Sequence, residues 1–97
     1  MIEQKIQRQI LNYLESIGAY PVKVIAATKA GIPDILACYK GIFLGIEVKT
    51  PDTKYNVSEL QKYNLSQIEK AGGYTAVVWS IEQVIDLIEL VESSLND

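Results

Sequence analysis

Three residues near the middle of the chain, Asp34, Glu47 and Lys49, are of types and at spacings that could do chemistry together. Side chains alternate across a strand, so in the apolar run 43–49 Glu47 and Lys49 share one face, while Ile46 and Val48 form the core-facing pair. Taken alone, an acid beside a base could be a cross-strand salt bridge of little energetic weight. Likewise Pro33-Asp34, taken alone, could be a common turn pair. The joint pattern is more specific. Gly31-Ile32-Pro33-Asp34 puts an acid at the mouth of a strand, with Gly31 permitting a sharp turn and Pro33 removing a backbone donor. A tight turn at Lys40-Gly41 then folds that strand back, which would bring Asp34 and Glu47 to the same end of two adjacent strands.

Two carboxylates this close repel, and one takes up a proton unless a cation neutralises them. Mg²⁺ or Mn²⁺ suits such a site, because both accept oxygen ligands and keep several waters. The backbone carbonyl of Val48 is a further candidate ligand. A cation there would acidify water and stabilise charge on a phosphoryl oxygen. Lys49 could orient or deprotonate the water, or stabilise developing charge. Glu3 has two readings. It lies in line with the apolar stripe of the first helix, where a carboxylate needs a reason, yet acids also suit the first turn of any helix. Gln61 has two as well: it completes a capping box with Ser58, and it could orient Lys49 or a phosphate.

The elements that must position these residues are legible from periodicity. Residues 2–17 have a helical repeat with Ile6, Ile10, Leu14 and Ile17 on one stripe, ended by Gly18. Strands are expected over 22–27, 35–39, 43–49 and 74–79. A second helix spans about 59–71, capped by Ser58 and stopped by Gly72-Gly73. A third starts after Ser80, with Ile81, Val84, Ile85, Ile88, Val91 and Leu95 as its buried stripe. The order α-β-β-β-α-β-α lets the first three strands meander. The helix between the third and fourth strands implies a parallel pair. The expected fold is therefore α/β, a mixed four-stranded sheet flanked by helices, with an additional C-terminal helix.

Composition bounds the rest. The 97 residues suit a single domain, 1–97, with 48% apolar residues and a net charge of −3. So small a domain has a thin stability margin, and docking against a second copy would help. Only the polar tail 93–97 looks poorly ordered. No apolar run approaches the ~20 residues of a membrane helix, and the N-terminus carries no signal-peptide pattern. An intracellular, cytoplasmic setting follows as the default. The single Cys38 reads as a small core residue. With no histidine, histidine bases, Ser-His triads and histidine metal sites are excluded, and zinc lacks ligands. The acidic balance argues against a generic DNA coat but is compatible with carboxylates that hold a cation.

In this order and spacing, Glu3, Gly31-x-Pro33-Asp34, Glu47-x-Lys49, Ser58-x-x-Gln61 and Ala71-Gly72-Gly73 resemble the virus-type replication-repair nuclease (VRR-NUC) domain of the PD-(D/E)XK superfamily, in its short stand-alone phage or bacterial form. The resemblance runs over nearly the whole chain. It implies a restriction-endonuclease-like αβββαβ core and Mg²⁺- or Mn²⁺-dependent phosphodiester hydrolysis. It further implies action on structured, branched DNA such as a Holliday junction or flap, in replication, repair or recombination. A likeness to Holliday-junction resolvases implies a homodimer, since two symmetric cuts need two sites related by a twofold axis.

Lys29 and Lys54 flank the site and are the first candidates for phosphate contacts, and Tyr55 for stacking on a base or sugar. Tyr20, Tyr39, Tyr63 and Tyr74 are expected in the core or at an interface, and Trp79 against the sheet. Leu87 and Leu90 lie off the last helix's stripe, where they could contribute to a dimer contact. Two other readings stand beside the structure-selective endonuclease. One is a restriction-like or exonucleolytic enzyme of the same fold. The other is a non-catalytic nucleic-acid-binding or interaction module.

Overall fold

The computed structural model describes residues 2–96. Its order is α1 (Ile2–Ser16), β1 (Tyr20–Lys23), β2 (Ile35–Tyr39), β3 (Ile42–Val48), α2 (Glu59–Lys70), β4 (Tyr74–Val78) and α3 (Ile81–Leu95). The four strands form one sheet in the order β1-β2-β3-β4. The first two pairings are antiparallel, and β3 pairs with β4 in parallel. This is the expected mixed sheet with its helical crossover.

The β2–β3 hairpin closes in two residues, Lys40 (φ 51°) and Gly41 (φ 82°). Both are left-handed, as the right-handed twist of a two-residue hairpin demands. That turn sets the register Ile35↔Ile46 through Tyr39↔Ile42. A shift of one residue would turn every side chain of β2 to the opposite face.

One face of the sheet packs on α1 and α3. Ile10, Leu14, Ile35, Leu44, Ile46, Val48, Val78, Val84 and Val91 are all fully buried there, forming the core. The other face receives α2, which packs over β3 and β4. Gly45 and Gly73 allow that close approach, because a Cβ at either would lie 2.7 Å from the Ile68 side chain.

Several expectations are corrected. β1 is Tyr20–Lys23 rather than 22–27. Its last ladder bond runs from the Val24 amide to the Asp34 carbonyl at 2.8 Å. Beyond it the neighbouring residue is Pro33, which has no N–H to continue the ladder. Cys38 is exposed, because alternation in β2 turns Ile35, Ala37 and Tyr39 to the core and Cys38 to the side α2 does not reach. Leu87 is buried in the core, so of the two leucines proposed for a dimer contact only Leu90 is exposed. Leu95 lies outside the buried stripe, and α3 extends as far as Leu95, into the tail expected to be poorly ordered. Asp97 lies outside the described residues. Tyr39 is buried in the core, and Tyr20 and Tyr63 are exposed on the surface of the chain.

Candidate active site

Asp34 is placed by the segment before it. Gly31 sits at φ +78° against α2, where a Cβ would lie 2.8 Å from Leu60 Cγ and 3.1 Å from the Leu60 backbone carbon. Asn64, buried in α2, donates from Nδ2 to the carbonyls of Ala30 and Leu60, both at 3.0 Å. Pro33 is fully buried beside them. The chain thus enters β2 tied to α2, with the Asp34 side chain beyond the last β2–β3 pair. There Oδ2 accepts a 2.8 Å hydrogen bond from the Val48 amide. The carboxylate takes an N–H at the point where Pro33 ends the ladder.

Glu47 neighbours Asp34 one register step past Ile35↔Ile46. It is 4% exposed, the one charged residue that is buried among the described residues. Lys49 Nζ stands 3.6 Å from Glu47 Oε2 and donates to Gln61 Oε1 at 3.3 Å. Gln61 Nε2 donates to Glu47 Oε2 at 3.1 Å. The same Gln61 accepts from the Ser58 amide at 2.9 Å, and its own amide donates to Ser58 Oγ at 3.1 Å. Capping and orienting are therefore compatible roles: the box that starts α2 also holds the amide between Glu47 and Lys49.

Burial first, and then the negative charge and hydrogen bonding of Asp34, push the Glu47 carboxyl up to about 7, with Lys49 opposing in part. A buried acid beside a half-buried one, with a combined charge that one ammonium does not balance, fits a cation. The donors are all oxygens, there is no histidine, and the lone cysteine is on the surface elsewhere, so a hard divalent ion is the match.

A family model described as archaeal Holliday junction resolvase (hjc) matches residues 2–96. The chain belongs to that family. Resolvase-family members of the PD-(D/E)XK type are nucleases that depend on a divalent metal. Among solved structures, one described as a VRR_NUC domain is 28% identical, with a TM-score of 0.76 over 92% of this chain and 96% of that one. A second, described as a VRR_NUC domain protein, shares the fold at 23% identity and a TM-score of 0.70, covering 92% of this chain and 86% of that one. No curated protein matches the chain. The expected resemblance to the virus-type nuclease domain is thus present in the fold, alongside membership of the resolvase family.

Within this resolvase-family fold, Asp34, Glu47, Lys49 and Gln61 come together. Glu3 stands half-buried in the first turn of α1, and among the described residues no third acid joins the pair as a metal-binding group. Lys29 is exposed in the loop leading to Asp34, and Lys54 and Tyr55 lie in the loop after Lys49. Two buried polar residues escaped the sequence reading. Asn64 anchors the Asp34 loop, and Gln7, one turn on from Glu3, is buried with Oε1 lacking a hydrogen-bond partner. Each is a polar residue on an apolar helical stripe, a signal present in the sequence. Among the described residues no helix is long and apolar enough to cross a membrane.

Proposed function

We propose that the chain acts as a single domain, residues 1–97, that cleaves phosphodiester bonds in branched DNA, using Mg²⁺ or Mn²⁺ held by Asp34, Glu47 and the Val48 carbonyl. The observation that carries this reading is the paired acids at one end of the β2–β3 hairpin, with Lys49 and Gln61 hydrogen-bonded beside them. When bound, the cation supplies charge to stabilise the phosphoryl oxygens and lowers the pKa of the attacking water.

The remaining work falls to the chain. Asp34 is aimed by the Val48 amide, so its carboxylate is pre-positioned. Glu47 is aimed by the Gln61 amide. Lys49, its ammonium fixed by Gln61 Oε1, lies where it can orient the water and stabilise the charge that develops on phosphorus-bound oxygen. Glu3, half-buried in the first turn of α1, serves as a further acid for the site. Lys29 and Lys54 contact phosphates, and Tyr55 stacks on a base or sugar. Two copies related by a twofold axis make symmetric cuts across a four-way junction.

The test uses four-way junction, flap, single-stranded and linear duplex DNA with Mg²⁺, Mn²⁺ or EDTA. Metal-dependent cutting of branched DNA, lost in Lys49→Ala, is the expected outcome. Absence of cutting on every substrate with both metals would refute it. Sedimentation of the free protein and of its junction complex checks the dimer.

A further inference from the structure

The residues that bind and orient the cation leave a neighbouring aromatic cluster unused. In the parallel pair, Glu47↔Val77 and Val48↔Val78 are in register, and the Lys49 amide donates to the Val78 carbonyl at 2.8 Å. Val48 and Val78 are fully buried on the α1/α3 side. Alternation therefore puts Trp79 on the same face as Glu47 and Lys49, one strand over from the lysine. From the loop after β3, Lys54 brings its ammonium to 5.1 Å from the Trp79 ring centre and 5.2 Å from that of Tyr55. One cation is thus flanked by two rings at the rim of the site.

The cluster is held in place. The Thr50 amide donates to Thr53 Oγ1 at 2.9 Å, the Thr53 amide to the Thr50 carbonyl at 3.0 Å, and the Asn56 amide to the Thr53 carbonyl at 2.8 Å. The Trp79 amide donates to Gln83 Oε1 at 3.0 Å. Tyr55 is nevertheless 84% exposed, so its ring contributes little to the core. A rigidly presented, solvent-facing aromatic beside a phosphate-cleaving site is suited to a flat partner.

We infer that Tyr55, Trp79 and Lys54 form a stacking platform for an unpaired DNA base adjoining the scissile phosphate, which deepens the nuclease reading above and rests on it. A base within a duplex has both faces covered by its neighbours, whereas one at a flap, branch or strand end has a face free to stack on an aromatic ring. The ammonium of Lys54 is placed to move from the rings to the phosphate of that nucleotide. With a net charge of −3 the chain lacks the strongly basic balance of a general DNA coat. Stacking of a splayed base therefore selects the branched substrate.

Trp79 is the sole tryptophan, so its emission reports this platform directly. The full chain is titrated in EDTA with flapped DNA, single strands and a blunt duplex of equal length, and with 2-aminopurine placed next to the branch. Flapped and single-stranded DNA should quench Trp79, and the blunt duplex should not. Tyr55→Leu, a surface change whose fold is checked by circular dichroism, should weaken flap affinity by about 5- to 150-fold, the range of one lost base–aromatic stack. Equal quenching by the blunt duplex, no quenching by any DNA, or an unaltered flap affinity in Tyr55→Leu would overturn the platform. Binding is read without metal, so quenching by a chain that never cuts would overturn the nuclease reading and leave the platform. Cutting with undisturbed Trp79 emission would overturn the platform alone.

Discussion

Replacing Glu47 by glutamine should remove most of the pH dependence of folding between pH 5 and 7. Glu47 is an acid whose pKa is raised, from an ordinary 4.5 to about 7, so between those values the folded chain holds a proton that the unfolded chain has released. Stability is therefore fully present below about pH 4.5 and is lost as pH rises toward 7. This is opposite to the usual carboxylate whose pKa is depressed by folding. For that shift the loss between pH 5 and 7 is on the order of 2 kcal/mol, or roughly 10 °C in Tm for a domain of this size. The window is unusually clean because the chain contains no histidine. Thermal unfolding in EDTA at half-unit steps, for the parent and Glu47→Gln, reads the slope. The variant's absolute stability is a separate matter, since Lys49 loses its acid but keeps Gln61 Oε1. A divalent cation should replace the proton, so Mg²⁺ or Mn²⁺ should stabilise the parent more at pH 7.5 than at pH 5.5 and leave Glu47→Gln unmoved. A parent whose Tm is flat from pH 5 to 7 in EDTA, or a variant that keeps the full metal response, would refute the reasoning.

Further outcomes follow from individual contacts. Asp34→Ala or Glu47→Ala should abolish cleavage while circular dichroism shows a folded protein. Unchanged cleavage in either would sink the proposed mechanism. Ser58→Ala should cost about 1 kcal/mol as a lost helix cap, measured by urea unfolding, with cleavage nearly intact. Gln61→Leu should lose the cap and, by freeing Glu47 and Lys49, also lower cleavage by about 100-fold; equal activity in the two variants would place Gln61 in the cap alone. Gly31→Ala meets both an unfavourable φ and the Leu60 backbone, and should destabilise by about 1–3 kcal/mol in the same unfolding assay. Cys38→Ser should change stability by no more than about 0.5 kcal/mol, since the thiol is on the surface.

The proposed site was the more legible part of the sequence because its residues are tied to local signals. Pro33 and Gly31 mark the entry to β2, Lys40-Gly41 sets the hairpin, and alternation pairs Glu47 with Lys49, so Asp34 and Glu47 had to meet wherever the hairpin formed. The helices were equally open, because a stripe such as Ile6, Ile10 and Leu14 repeats at 3.6 residues whatever it packs against. What local pattern could not decide was which side of a strand or helix finds a partner. Cys38 and Leu87 are both apolar by pattern, yet the reach of α2 leaves Cys38 in solvent, and the docking of α3 on the sheet buries Leu87. Asn64 tied to Ala30, Gln61 linking Glu47 to Lys49, and Lys54 between Tyr55 and Trp79 join elements far apart in the chain. Such contacts exist only once β3, α2 and β4 have assembled. The sequence by itself determined the acids and the strands that carry them; tertiary packing decided their burial, their partners and the surface beside them, because burial depends on what comes to rest on each face.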